Sequence, residues 1–301
     1  MRSKGHKEFG ASMTCFDTHT HTYLSNHGSG TVDEVVSAAL TRGLSMVALT
    51  EHLPLPSYVD SDATYAMDAD KVEVYLDAVK QARDAHSGIE VICGVEIDWR
   101  FGAQDYILTK LAETPAAFEL LLGSVHMLTN EDGDQFEFDH PDFINGWYER
   151  SVDQVWEQYL GLWLAAVNSA VPFDIMTHPD LPKKFGFKPK FDTRDYYAAM
   201  AEAAARRGVM VEVNTSGLRK PVGEIYPATG LLTAFCDAGV ACTMGSDAHI
   251  PHDVGRDFDK GCAALREAGY TCVTMPTRSG DRRPIPLEVF EAALKTGKLR
   301  L

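Results

Sequence analysis

Seven short apolar runs punctuate this 301-residue chain, at residues 13–17, 46–50, 91–97, 120–126, 173–177, 209–213 and 240–244. Each is nearly continuous in aliphatic or β-branched residues and is bounded by Gly, Pro or polar positions, as expected of strands buried on both faces. The segments between them carry a helical period. Residues 68–86 place apolar side chains at 72, 75, 76, 79 and 82, the spacing that lines one face of an amphipathic helix. Thr31-Val32-Asp33-Glu34 has the form of a capping box, opening a helix that runs to about Arg42 and stops at Gly43. Further helices are predicted over 143–169 (one long or two), 193–207 before Gly208, 229–237 before Gly239, 257–268 before Gly269 and 287–295 before Gly297.

Strand–helix alternation along the whole chain argues for parallel strands joined by helical crossovers. The predicted architecture is α/β: a single TIM-like barrel domain, seven-stranded and distorted, over residues 13–301. An eighth apolar stretch near 270–273 is expected to pack without contributing to a site. Residues 1–12, polar and basic, read as a disordered extension without the apolar segment of a secretory signal. A doubly wound open sheet is the alternative, but it gathers polar residues at one crevice instead of around a rim.

The strand ends carry the chemistry. Six runs close on Asp17-Thr18-His19-Thr20-His21, Thr50-Glu51-His52, Gly94-Val95-Glu96, Gly123-Ser124-Val125-His126, Met176-Thr177-His178 and Gly245-Ser246-Asp247-Ala248-His249. In a parallel barrel the C-terminal strand ends form one face, where active sites collect. His19 and His21, at i and i+2, lie on the same side of an extended strand and form a chelating pair. With His27, His52, Glu96, His126, His178, Asp247 and His249 they make nine candidate metal ligands. A single zinc site takes about four ligands, so nine suit two or three ions. A histidine-rich set without thiolate fits Zn, Fe or Mn and disfavours Mg and Ca, which take oxygen ligands. A lone strand-end histidine is more often hydrogen-bonded structure. Six strand ends in register change that weighting.

Charge and cysteine content narrow the partners. Lys and Arg number 28 against 43 Asp and Glu, a formal charge of 28 − 43 = −15, which opposes nucleic acid and anionic membranes at long range. Six scattered cysteines without a C-x-x-C pair read as buried thiols in a cytoplasmic protein.

Taken in order, these strand-end motifs resemble those of the polymerase-and-histidinol-phosphatase (PHP) superfamily from about residue 13 to 255. His27-Gly28-Ser29-Gly30-Thr31, Glu51-His52-Leu53-Pro54-Leu55-Pro56 and Asn214-Thr215-Ser216-Gly217-Leu218-Arg219-Lys220 look like its histidinol-phosphatase branch. The resemblance implies a distorted (β/α)7 barrel with a trinuclear metal centre that hydrolyses phosphoesters. It also implies a division of ligands: His19, His21, Glu96 and Asp247 at one ion, His27, His52 and His249 at a second. Glu96 would bridge to a third ion held by His126 and His178.

The implied activity is that of a phosphoric monoester hydrolase releasing L-histidinol and inorganic phosphate from L-histidinol phosphate, in histidine biosynthesis. The expected course is in-line attack by a metal-bound hydroxide, with Glu96, Asp247 and His249 as catalytic residues. Arg219 and Lys183 are the candidate phosphate ligands, with Asn214 and Ser216 beside them. Asp17 is expected to support a ligating imidazole or its strand neighbour, and Asp98 and Asp180 to do likewise or meet the substrate's cation. The loops 57–70, 102–105 and 129–143 are expected to wall the pocket, with Phe101, Tyr106 and Phe136 placed to stack on a substrate ring. Alternatives are a phosphoesterase acting on nucleotides or nucleic-acid ends, and a non-catalytic metal-binding regulator. The partner is a small phosphomonoester, with no nucleic acid and no membrane. Oligomeric state, the native metals and the general acid are left open by the sequence.

Overall fold

In the computed structural model, which describes residues 14–60, 64–114, 117–129 and 135–298, the seven apolar runs become one parallel sheet. In chain order the strands are β1 (Phe16–Asp17), β2 (Met46–Leu49), β3 (Glu90–Asp98) and β4 (Leu120–Ser124). A hairpin of β5 (Met127–Thr129) and β6 (Gln135–Glu137) follows, then β7 (Ile175–Met176), β8 (Met210–Asn214) and β9 (Cys242–Gly245). Leaving out the hairpin, the spatial order is β1-β2-β3-β4-β7-β8-β9. The two edges then meet. Thr18 N donates to Met244 O at 3.1 Å, His21 N to Ala248 O at 2.8 Å and Asp247 N to His19 O at 2.9 Å, nearly closing the barrel. The expected extension at 1–12 lies outside the described residues.

The strands form where burial on both faces favours branched aliphatic residues, and the helices cover the outside. They are α1 (Val32–Thr41), α2 (Val72–Ala85), α3 (Gln104–Glu113), α4 (Asn145–Tyr148), α5 (Val152–Asn168), α6 (Arg194–Arg207), α7 (Thr229–Asp237), α8 (Phe258–Glu267) and α9 (Leu287–Lys298). The capping box is present: Glu34 N donates to Thr31 Oγ1 at 3.2 Å and Thr31 N to Glu34 Oε2 at 2.7 Å. Such a cap stabilises the helix by about 1 kcal/mol. The helical stretch predicted at 143–169 is two helices, divided before Ser151, whose hydroxyl caps α5. Tyr75, fully buried on α2, donates its hydroxyl toward Leu49 O and Gly94 O (2.6 and 2.8 Å), fastening that helix to β2 and β3.

Beyond the barrel, β10 (Cys272–Pro276) pairs antiparallel with β11 (Arg282–Pro286) and carries no site residue. Helix α9 then seats Phe290 against Phe16 and Phe258, with ring centroids 5.2 and 6.1 Å away. Among the described residues no helix is long and apolar enough to cross a membrane.

Candidate metal centre

Parallel pairing in register places the ends of all seven strands on one rim, and the predicted ligands converge there. Glu96, at the end of β3, sits in the middle. Its Oε2 lies 3.1 Å from His19 Nε2, 3.2 Å from His21 Nε2 and 3.5 Å from His52 Nδ1. Its Oε1 lies 3.1 Å from His178 Nε2 and 3.6 Å from His126 Nε2. Asp247 Oδ1 approaches His19 Nε2 at 3.8 Å and His21 Nε2 at 3.7 Å. On the outer side His27 Nε2 is 2.8 Å from His249 Nε2, and the His21 ring stacks between those of His52 and His249 at 4.7 and 4.4 Å. All nine residues are in this one cluster. Two of them, His178 (φ 26°) and Asp247 (φ 50°), hold left-handed backbone that a non-glycine residue adopts at a cost of about 1–3 kcal/mol.

The ring nitrogens that face inward are free to bind a cation because the outer nitrogens are occupied. His19 Nδ1 donates to Glu212 Oε1 at 2.9 Å, and His126 Nδ1 to Asp98 Oδ1 at 2.6 Å. His21 Nδ1 donates to Ser25 Oγ at 3.2 Å, and Ser25 in turn donates to Glu51. This hydrogen-bond network orients the Nε2 of each of these three rings toward the cluster. Nε2 atoms meet there in pairs, His19 and His21 at 3.0 Å and His126 and His178 at 3.3 Å. Two imidazole nitrogens at that distance need a proton or a bound cation between them. His52 Nδ1, buried, has no hydrogen-bond partner among the described residues and fits the same need.

Electrostatics points the same way. Burial opposes ionisation of Glu96 and Asp247, yet the surrounding imidazoles, His19 foremost, hold both carboxyls well below their usual range. Burial likewise disfavours a charged His126, but Asp98 and Glu96 outweigh it and raise its pKa to about 10. His19 is raised well above its ordinary value against its own burial, by Glu212, Glu96 and Asp247. Burial, with neighbouring imidazoles, pushes His21 down to about 4 and His27 to about 3. The site therefore demands positive charge and has only some imidazoles able to supply it as protons. Four sets of residues converge closely enough to hold an ion: His19–His21–Asp247, His21–His52–His249, Glu96–His126–His178 and His52–Asp98–His126.

A model of the PHP domain family matches residues 17–216. The chain belongs to the PHP domain family. It is 34% identical over 264 residues to a protein named "Probable histidinol-phosphatase" from Deinococcus radiodurans, covering 87% of this chain and 96% of that one. It is 27% identical over 260 residues to the histidinol-phosphatase of Bacillus subtilis, covering 81% and 96%. Among solved structures, the histidinol phosphate phosphatase of Lactococcus lactis in complex with zinc, L-histidinol and phosphate superimposes with a TM-score of 0.70. That likeness covers 89% of this chain and 98% of the other, at 18% identity, and speaks to the fold.

Within this PHP barrel the cluster floors a cavity of about 630 Å³, and the cavity corrects several expectations. Arg219 does not line it: its guanidinium donates to Ser246 O at 2.7 Å and pairs with Asp253 at 3.2 Å. Lys183 is buried against Asp180 (2.8 Å) and Ile225 O (2.7 Å). Their neighbours Lys220 and Lys184 line the cavity instead. Each pair of consecutive residues belongs to or borders a 3-10 turn (Ser216–Arg219, Leu181–Phe185), where successive side chains diverge by about 120°. Ser216 lines the cavity and donates to Asp247 Oδ2 at 3.0 Å, while Asn214 Nδ2 supports Glu212 at 2.9 Å from outside it.

Asp17 does not touch an imidazole ring. It accepts from Ser246 N, Ser246 Oγ, Gly255 N and His19 N, holding the loop after β9, and burial lifts its pKa to about 6. Asp180 accepts from Lys183 and Ala228 N. Of the expected walls, 59–60, 64–65, 137 and 139–143 line the cavity, whereas 102–105 does not. Phe101, Tyr106 and Phe136 do not line it, and Tyr65, Phe143 and Tyr226 do.

Glu212, Glu51 and Tyr226 were not predicted as site residues. Glu212 is an acid inside the apolar run of β8, and that incongruity was its signal. It is also why β9 ends on glycine: a Cβ at Gly245 would collide with Glu212 Oε1 and stand 2.8 Å from His19 Cβ. Tyr226 lines the cavity with its buried hydroxyl unpartnered among the described residues.

Proposed function

We propose that this protein hydrolyses L-histidinol phosphate to L-histidinol and inorganic phosphate, as a metal-dependent phosphomonoesterase of histidine biosynthesis. The observation that carries the chemistry is the cluster of seven imidazoles and two carboxylates, which opens onto a cavity of small-molecule size that two lysines also line. The substrate reading draws on the named activity of the Deinococcus and Bacillus relatives, aligned over nearly their whole length. It is supported by the zinc, L-histidinol and phosphate held by the Lactococcus structure.

The residues fit divalent ions, and we assign three, drawn from Zn, Fe and Mn. His19, His21, Glu96 and Asp247 would hold one, and His52 and His249 with His27 a second. His126 and His178 would hold the third, with Glu96 shared. Ions bound there would acidify water and neutralise charge on the phosphoryl oxygens. Lys184 and Lys220, with the Ser216 and Tyr226 hydroxyls, are placed to bind and orient the phosphate. Asp247, held ionised, accepts the proton of the attacking water. Asp247 or His249, whose Nδ1 lies 3.4 Å from Asp247 Oδ1, then passes a proton to the leaving alkoxide.

Further parts of the reading are a single barrel domain over 13–301, supported by one continuous apolar core from Cys15 to Leu294, and a cytoplasmic location, supported by six unpaired cysteines. The test is phosphate release from L-histidinol phosphate, nucleoside monophosphates and p-nitrophenyl phosphate, with metal analysis of the same sample. A kcat/KM for L-histidinol phosphate no better than for the generic ester would overturn the assignment.

A further inference from the structure

The cavity is lined by side chains of both charges. Lys184 and Lys220 come from the loops after β7 and β8. Asp60 and Glu137 come from the segments after β2 and β4 and form an acidic arc of the same lining. Asp60 is held in place by accepting from the backbone N–H groups of Thr64, Tyr65 and Ala66 at 2.9–3.2 Å. Glu137 is half-buried on β6 and has no hydrogen-bond or ion-pair partner among the described residues. Asp139, 8% exposed, lines the cavity as well. Its Oδ2 accepts from Lys184 Nζ at 3.0 Å, and its Oδ1, buried at the cavity, accepts from nothing among the described residues.

An unpartnered acid is not explained by the phosphate, which these groups repel, nor by the metal cluster, to which neither Asp60 nor Glu137 belongs. Buried or half-buried acceptors left open in this way call for a donor from the ligand. Burial, reinforced by Asp139 and Asp60, lifts Glu137 to about 7, in keeping with acids crowded together without a cation.

We infer that Asp60 and Glu137, with the open oxygen of Asp139, select phosphomonoesters whose alcohol carries a cation and reject those whose alcohol carries a further negative charge. This rests on the phosphomonoesterase reading and adds the discrimination by charge, at residues outside the catalytic cluster. A cationic ammonium or imidazolium would meet the acidic arc while the phosphate meets the lysines. A nucleoside diphosphate or a phosphorylated acid would set its second anion against that arc.

The test uses two small esters of similar size and opposite charge, O-phosphoethanolamine and 2-phosphoglycolate, with the metal-loaded full chain. The ratio of their kcat/KM values is read for the wild type, Glu137→Gln and Glu137→Asp. The wild type should favour the cationic ester, Glu137→Gln should lower the ratio about tenfold, and Glu137→Asp should retain most of it. A ratio unmoved by Glu137→Gln, or a wild type that favours 2-phosphoglycolate, overturns the inference. Asp60→Asn supplies the same readout should Glu137→Gln fail to fold, and an unmoved ratio there is equally adverse. The parent reading fails separately: L-histidinol phosphate no better than p-nitrophenyl phosphate removes the named substrate, while a charge ratio that collapses in Glu137→Gln still stands.

Discussion

Replacing Glu212 by glutamine keeps the shape of a fully buried side chain and removes one acceptor. The wild-type carboxylate takes three donors: His19 Nδ1 at 2.9 Å on Oε1, and Asn214 Nδ2 at 2.9 Å and His178 N at 3.2 Å on Oε2. A glutamine must turn its NH2 toward one side or the other. Turned toward Oε2's partners, it leaves two buried donors facing a third, at roughly 1–3 kcal/mol for each. Turned toward His19, it forces the other tautomer, in which Nε2 carries the proton and can no longer face a cation. Either route weakens the inner set that we assign to His19, His21, Glu96 and Asp247. The expected loss of metal affinity is about 10–100-fold, the usual effect of removing the partner of a metal-binding histidine. The assay is metal content after dialysis against graded free Zn or Mn, read beside phosphate release. Activity should return at high metal concentration, since no group touching substrate has changed. Metal stoichiometry and affinity within about twofold of the wild type would refute the positioning role of Glu212.

Lys220→Ala should raise KM for every phosphomonoester with metal content intact, whereas Arg219→Ala should chiefly lower the melting temperature by freeing Ser246 O and Asp253; the opposite pattern would restore Arg219 as the phosphate ligand. Burial, then the neighbouring Lys184, lowers the Lys220 pKa, so its positive charge is lost as pH rises through a value below that of an ordinary lysine. KM should therefore climb on the alkaline side earlier than an ordinary lysine would allow, and a profile unchanged in Lys220→Ala would contradict this. Removing metal with a strong chelator should abolish phosphate release and lower the melting temperature, because ions that bind only the folded chain stabilise it by mass action. An unchanged melting curve would count against the cluster as an ion site. Of the six thiols, Cys236 and Cys272 are partly exposed and the other four buried, with burial raising Cys93 to about 11 and Cys262 to about 12. A thiol reagent should titrate two groups in the native protein and six after unfolding; four or more reacting natively would be inconsistent with this packing.

The barrel was legible because a parallel strand buried on both faces leaves a nearly unbroken apolar run, and the residues of the cluster were legible because they stand where those runs stop. Neither signal depends on side-chain direction. Which cations line the cavity does depend on it, and the sequence pointed to Arg219 and Lys183, each one residue away from the lysine that lines it. A 3-10 turn rotates by about 120° per residue, so adjacency along the chain carries no information about which of two lysines faces a site. Helix α3 was missed for a different reason: its N-cap is Ala103, which makes no side-chain hydrogen bond, so the stretch offers no start signal. Glu212 sat in plain view as an acid within an apolar strand, where a buried carboxylate needs donors from elsewhere in the fold.

The same requirement explains why so much of the rim is acidic beneath a ring of histidines. Glu96, Asp98, Glu212 and Asp247 bring four carboxylates to a region closed to water on most sides. Seven imidazoles surround them, but burial, and after it the repulsion of neighbouring imidazoles, opposes their protonation, as the depressed His21, His27 and His249 show. Protonation alone leaves the carboxylates short of positive charge, and divalent cations meet that deficit with fewer, more compact charges. Once that charge is in place, the −15 chain ceases to repel a phosphate at this one point, and Lys184 and Lys220 can define where it rests. The acidic arc at Asp60 and Glu137 lies beyond that neutralised zone and keeps its negative field. A ligand that is anionic at one end and cationic at the other is the kind that such a field orients in a single direction.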